Sequence, residues 1–178
     1  MTIDKLLAEL DTILLRQPLA AGELRAAAPD DLLAATALQL GVATPDALTP
    51  LYRMHDGTHP EGPGHRGFFV FPPWWEWLPL SVVAAEGRSP VVWCRRTGIE
   101  AFPFAGDGTG AFLTADTEAV GKVWWVTPEE PASPAWPDGT LTGLISATVA
   151  AFEGSSTDYR LEYVDDRMKW IASWQPEF

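Results

Sequence analysis

Three histidines, His55, His59 and His65, are separated by three and five residues, spacings of the kind found among zinc ligands. The match is loose. The residues fall on a predicted helix end and in a Pro/Gly-rich loop, with no cysteine beside them and nothing placed to orient the rings. They read as helix-end and surface histidines, and no metal or cofactor is expected. Asp107-Gly108-Thr109-Gly110 has the glycine content of a phosphate loop but lacks the Lys-Ser/Thr pair and the helix that must follow. It reads as a turn.

A glycosidase needs two carboxylates at a fixed separation across a cleft. Asp116, Glu118, Glu153, Glu162, Asp165 and Asp166 supply the residue type without defining a pair, and a solvated acidic face is the ordinary reading. Cys94 is the only cysteine, so there is neither an intramolecular disulfide nor a cysteine-built zinc site. A thiol nucleophile needs exposure and a cationic neighbour. Arg95 and Arg96 adjoin Cys94, but the apolar run Val91-Val92-Trp93-Cys94 predicts a strand over 91–95 with the thiol buried. No Gly-x-Ser-x-Gly elbow is present. These readings point away from an enzyme.

Trp74-Trp75-Glu76-Trp77 carries a different chemistry. Aromatic side chains ringed by acids suit an interface hot spot for a basic protein. The same rings could instead cap the core of a sheet. Asp116, Glu118, Asp165 and Asp166 extend the acidic surface on which Trp74, Trp75 or Trp77 would act as anchors.

The chain that must position these residues has 178 residues, 47% of them hydrophobic and 20% charged, a balance that supports one folded core. Its net charge of −12 argues against direct binding to nucleic acid, which needs clustered Lys and Arg. The same charge would steer a basic partner toward it. The opening stretch mixes acids into its apolar run, unlike a signal peptide. No apolar run approaches the 18 or so residues of a membrane span, and a cytoplasmic location is expected.

Helices come first. Ile3, Leu6, Leu7, Leu10, Ile13 and Leu14 form one stripe of a helix over 3–17, ended by Pro18. That stripe packs either on the domain core or on a second copy of the chain. Pro29-Asp30-Asp31 opens a second helix, stopped at Gly41. Thr44-Pro45-Asp46 opens a third, which Pro50 either kinks or restarts and Gly57 ends. Strands are expected at 67–71 and over 99–105, 111–116 and 122–127, with a helical turn or two over 81–86, and if 74–80 is extended then Trp75, Trp77 and Pro79 share one side. In the central pair, Phe102 and Phe104 share one face, while Phe112 and Thr114 lie opposite Leu113 and Ala115. A helix over 141–153 follows a proline-rich loop, and the alternation in 159–174 favours a hairpin turning at Asp165-Asp166. This order predicts an α+β fold, with a central, mostly antiparallel sheet and N-terminal and late helices packed against it.

Several of these segments together resemble the SUKH superfamily, which contains the fungal cell-wall assembly regulator and many bacterial proteins. Leu51-Tyr52-Arg53-Met54-His55-Asp56-Gly57 resembles its helix-end motif. Phe102-Pro103-Phe104-Ala105, the glycine turn and Phe112-Leu113-Thr114-Ala115-Asp116 resemble its central hairpin. Gly121-Lys122-Val123-Trp124 resembles the next strand, and Leu141 to Phe152 its late helix. The likeness spans 29–153, leaving 1–28 as an N-terminal helical extension and 154–178 as a tail. It implies a mixed sheet and no enzymatic activity. It also implies a protein-binding role, either as an immunity protein neutralising a toxin, often a nuclease, or as a regulatory scaffold in envelope or signalling assemblies.

Overall fold

The computed structural model describes residues 2–59, 69–164 and 167–173. Helix α1 (Ile3–Arg16) buries Leu6, Leu7, Leu10 and Leu14, four positions of the predicted stripe. The chain breaks at Gln17, and Pro18 starts a second short helix, α2 (Pro18–Glu23), because proline at the first helical position has no amide bond to lose. Helix α3 (Leu32–Leu40) ends on Gly41 with φ of 71°, the left-handed cap that glycine adopts without strain. At Pro50 the restart prevails: a 3₁₀ turn, Asp46–Leu48, hands over to α4 (Thr49–Met54).

Two short strands, β1 (Phe69–Phe71) and β2 (Trp75–Trp77), precede α5 (Leu80–Glu86). The strand expected over 91–95 is a helix, α6 (Arg88–Arg95). Its buried residues, Pro90, Val91 and Cys94, follow the helical period, while Val92 between them is exposed. Pro90 falls within the first turn, where a missing amide costs nothing. The β-branched run Val91-Val92 suggested a strand, but packing a helical face against the sheet overrode that propensity.

Strands β3 (Ala101–Gly106), β4 (Phe112–Asp116), β5 (Val123–Val126) and β6 (Ser133–Pro134) complete a six-stranded sheet in the order β1-β2-β3-β4-β5-β6. Every pairing between described strands is antiparallel. This meander replaces the mixed sheet that the family resemblance implies. Helix α7 (Leu141–Phe152) follows, and β7 (Tyr159–Val164) with β8 (Arg167–Ala172) forms a separate hairpin. The fold is α+β.

Register divides the sheet into two faces. Leu113, Ala115 and Val123 share a core with Leu6, Leu10 and Leu14 of α1 and with Leu144, Ile145 and Val149 of α7. The N-terminal helix, predicted as an extension, thus contributes to the central core. Its apolar stripe is buried within the chain and does not form a free face for a second copy. On the opposite face Ala101 and Val126 pack with Cys94 of α6, flanked by Phe112, Trp93 and Trp124. A register shift between Pro103 and Ala105 bends β3, as a bulge does, and leaves the Phe104 carbonyl to accept the Leu78 amide at 3.0 Å. The C-terminal hairpin is attached by Trp170, whose indole donates to the Phe69 carbonyl at 2.9 Å and whose ring meets Phe152 edge-on.

Candidate partner-binding surface

The residue types capable of chemistry are mostly committed to holding the fold together. His55, Asp56 and Gly57 follow α4, which ends at Met54, and join several parts of the chain. The segment after α2 runs alongside them: Arg25 and Ala28 amides donate to the Gly57 and Tyr52 carbonyls, and the Asp56 amide donates to Ala26. Asp56 is buried; its carboxylate accepts from the Leu80 amide at 2.8 Å and from Arg25 Nε at 3.3 Å. The Tyr52 hydroxyl donates to the Leu78 carbonyl at 3.0 Å, and the Thr58 amide and hydroxyl both donate to Trp77. The β2–α5 junction is therefore gripped from three side chains on one short stretch.

Gly57 allows this close approach. Its φ is 71°, and a β-carbon there would lie 2.6–2.7 Å from backbone atoms of Trp77, Leu78 and Pro79. Burial, and second the charge of Asp56, push the Tyr52 phenol far above its usual range. The Trp77 indole opposes this only weakly, and its N–H has no well-formed hydrogen bond among the described residues.

The histidines do not converge. His55 sits with Nδ1 2.8 Å from the Arg25 carbonyl and Nε2 2.8 Å from Asp11, so both ring nitrogens are engaged. His59 is exposed, and His65 lies outside the described residues. No group of three potential ligands is placed to hold a metal ion among the described residues.

The glycine turn between β3 and β4 binds its own anion. Asp107 Oδ1 accepts from the amides of Thr109, Gly110 and Ala111, at 2.8, 3.1 and 3.0 Å, and Oδ2 accepts from the Thr109 hydroxyl. The amides that a phosphate would need are already saturated by a carboxylate. Asp116 is likewise structural. It is buried, accepts from the Glu118 and Ala119 amides through Oδ1 and from the Trp124 indole through Oδ2. It closes the turn after β4 and is not presented as a partner-binding acid. Glu118 beside it is exposed.

Cys94 is fully buried and shares a 3.5 Å contact with Thr114 Oγ1. Burial raises its thiol pKa, only partly offset by the Thr114 bond, so the thiolate is disfavoured. The neighbouring Arg95 gives no activation; it makes a forked ion pair with Glu100 and donates to the Gly41 carbonyl.

The tryptophan cluster splits. Trp75 and Trp77 are 8% and 0% exposed, because strand alternation turns both inward. Trp77 packs on Tyr52, His55 and Phe71. Neither can act as a surface anchor; they cap the sheet core. Trp74, in the turn before β2, is 54% exposed and is the one aromatic side chain left largely open among the described residues. Asp165 and Asp166 lie outside the described residues.

Between β2, α5 and the β3–β4 turn the structure forms a groove of about 770 Å³, whose lining does not include Trp74. One wall runs from Glu76 to Pro79 and on to Val82 and Glu86 of α5. The other is the β3–β4 turn, Gly106 to Phe112, and Thr58, His59 and Phe69 also border the groove. Register puts Glu76 opposite Gly106, on the pleat opposed to Trp75 and Trp77. Three carboxylates, Glu76, Glu86 and Asp107, thus edge an apolar floor, and no Lys or Arg lines it among the described residues. Sequence reading had no signal that would assemble these acids. They are ten and twenty-one positions apart and line one groove only through the pairing of β2 with β3 and the packing of α5.

The chain matches no known family profile and no curated protein. No helix among the described residues is long and apolar enough to cross a membrane.

Proposed function

We propose that this chain is a non-enzymatic protein-binding domain of the SUKH type, acting as an immunity protein that neutralises a basic, nuclease-type toxin in the cytoplasm. Exposed Trp74 carries the reading: a large aromatic ring left 54% accessible on a chain of net charge −12. An indole in that position resembles an interface anchor, since Trp is enriched where binding energy concentrates. The chain's net negative charge favours a cationic partner and speeds its approach. Glu118 is exposed on the turn after β4, at the end of the sheet opposite Trp74, and contributes only to the overall charge.

The test is affinity capture from the native host with the whole chain and with Trp74→Ala, read by mass spectrometry. The expected result is one basic protein retained by the first and lost by the second. Retention of the same proteins by both, or of none, would overturn the assignment.

A further inference from the structure

In the loop between β5 and α7, Pro128, Pro131, Pro134 and Pro137 recur at every third residue. That is the period of a polyproline II helix, in which such residues line one edge. The structure carries the period into space. From Pro131 to Pro137 each proline is exposed, while Ala132, Ser133, Ala135 and Trp136 between them are half-buried or buried. Proline fixes its own φ at about −65° and turns the residue before it toward extended backbone. The segment is also held in place. Ser133 and Pro134 pair with Trp125 and Trp124 of β5, and the Ala135 amide donates to the Val123 carbonyl at 3.0 Å. Thr127 Oγ1 accepts from the Glu130 amide at 3.1 Å, and the Trp136 ring meets Tyr159 edge-on. A proline in an edge strand blocks pairing with another chain. That accounts for Pro134 in β6 but not for Pro131, which precedes the strand, nor for the three-residue period. Glu129 and Glu130 stand just before the segment. Both are exposed, and neither is paired with a cation among the described residues.

We propose that Pro131-Ala132-Ser133-Pro134 is a docking ridge for a protein that reads polyproline II segments. Its partner is a domain with a groove walled by aromatic side chains, which pack on Pro131 and Pro134. Lys or Arg beside that groove meets Glu129 and Glu130. A ridge already fixed by β5 loses little conformational entropy on docking. β6 and the β1–β2 turn that carries Trp74 lie toward opposite edges of the six-stranded sheet, so the ridge is a second surface and does not rest on the toxin-binding reading.

The test immobilises the whole chain, loads it with native-host lysate and elutes with one of two capped peptides. The first has the sequence of residues 128–137. The second holds the same residues reordered so that no two prolines stand three apart. One protein released by the first peptide and retained against the second is expected. Purified, it should bind the whole chain, and Ala in place of its groove aromatics should abolish binding. Pro131→Ala with Pro134→Ala should weaken that binding about tenfold, and so should Glu129→Lys with Glu130→Lys. Unchanged amide exchange over Val123 to Val126 in the proline variant would tie its loss to the ridge and not to a damaged sheet, and the peptide elution needs no variant at all. Release of nothing by the first peptide, or equal release by both, would overturn the ridge. So would a released protein that binds the proline variant as tightly as the original chain, or one with no aromatic groove. A protein lost with Trp74→Ala, when the first peptide releases nothing, would overturn the ridge while leaving the toxin-binding reading standing.

Discussion

Two Asp-Gly stretches in this molecule use the same residue types to opposite effect. At Asp56-Gly57 the carboxylate is buried and bonds residues 24 and 31 positions away in sequence, and the glycine faces backbone on its open side. At Asp107-Gly108 every bond of the carboxylate stays within four residues, and Gly108 and Gly110 face open space. The first is a joint between elements; the second is a self-contained turn. Motif composition does not distinguish them. What does is whether the hydrogen-bond partners are local or distant, and that decides how far a mutation's damage travels.

The comparison can be broken most decisively at Gly57. Gly57→Ala combines left-handed backbone strain with a clash against Trp77 and Pro79, at a cost of about 3–5 kcal/mol. Urea denaturation should show this as a large drop in midpoint or as loss of the folded chain. A cost below about 1 kcal/mol would mean that the joint relaxes freely. Asp56→Ala comes next, at about 2–3 kcal/mol, since it strands the buried Leu80 amide and uncouples Arg25.

Alkaline pH probes the same joint without mutation. Tyr52 keeps its proton in the folded chain well above the unfolded value of about 10. Above that pH the unfolded state binds fewer protons than the folded one, so stability falls as pH rises, by at most about 1.4 kcal/mol per unit for this group. Denaturation midpoints between pH 9 and 11 should decline, and Tyr52→Phe should flatten the decline. An equal slope in that variant would assign it to other groups, among them Tyr159, which burial also raises.

At the exposed turn the effects are smaller. Gly108→Ala and Asp107→Ala should each cost about 1 kcal/mol, with amide exchange changed only across the β3–β4 hairpin. Exchange faster throughout the sheet after Asp107→Ala would show that the turn is as global a joint as the first.

Much of the fold could be read in the chain. Helical periodicity located α1, α3 and α7, and the glycine stop at Gly41 marks an end that the structure confirms, whereas α4 ends at Met54 on an extended His55, before the expected stop at Gly57. Alternation located β3, β4 and β5 and the C-terminal hairpin. It also divided Phe112 and Thr114 from Leu113 and Ala115 correctly. The strand expected over 91–95 is part of a helix, because a short apolar run has no period long enough to separate strand from helix. Less of the candidate surface was legible. Composition marked the tryptophans and acids as types, but Trp74, Trp75 and Trp77 differ in exposure only because Trp75 and Trp77 follow the pleat of β2 and Trp74 does not.

The sequence by itself determined the acidic charge, the order of helices and strands, and the turns, because these depend on residue type and spacings of a few positions. Tertiary structure alone decided which carboxylates are scaffold and which edge a groove. Asp116 is spent on the Trp124 indole and two amides, whereas Glu76 and Glu86 are brought beside Asp107 by strand pairing and the packing of α5. A carboxylate's role follows from the donors and surfaces that meet it in space, and those come from parts of the chain that no local pattern connects.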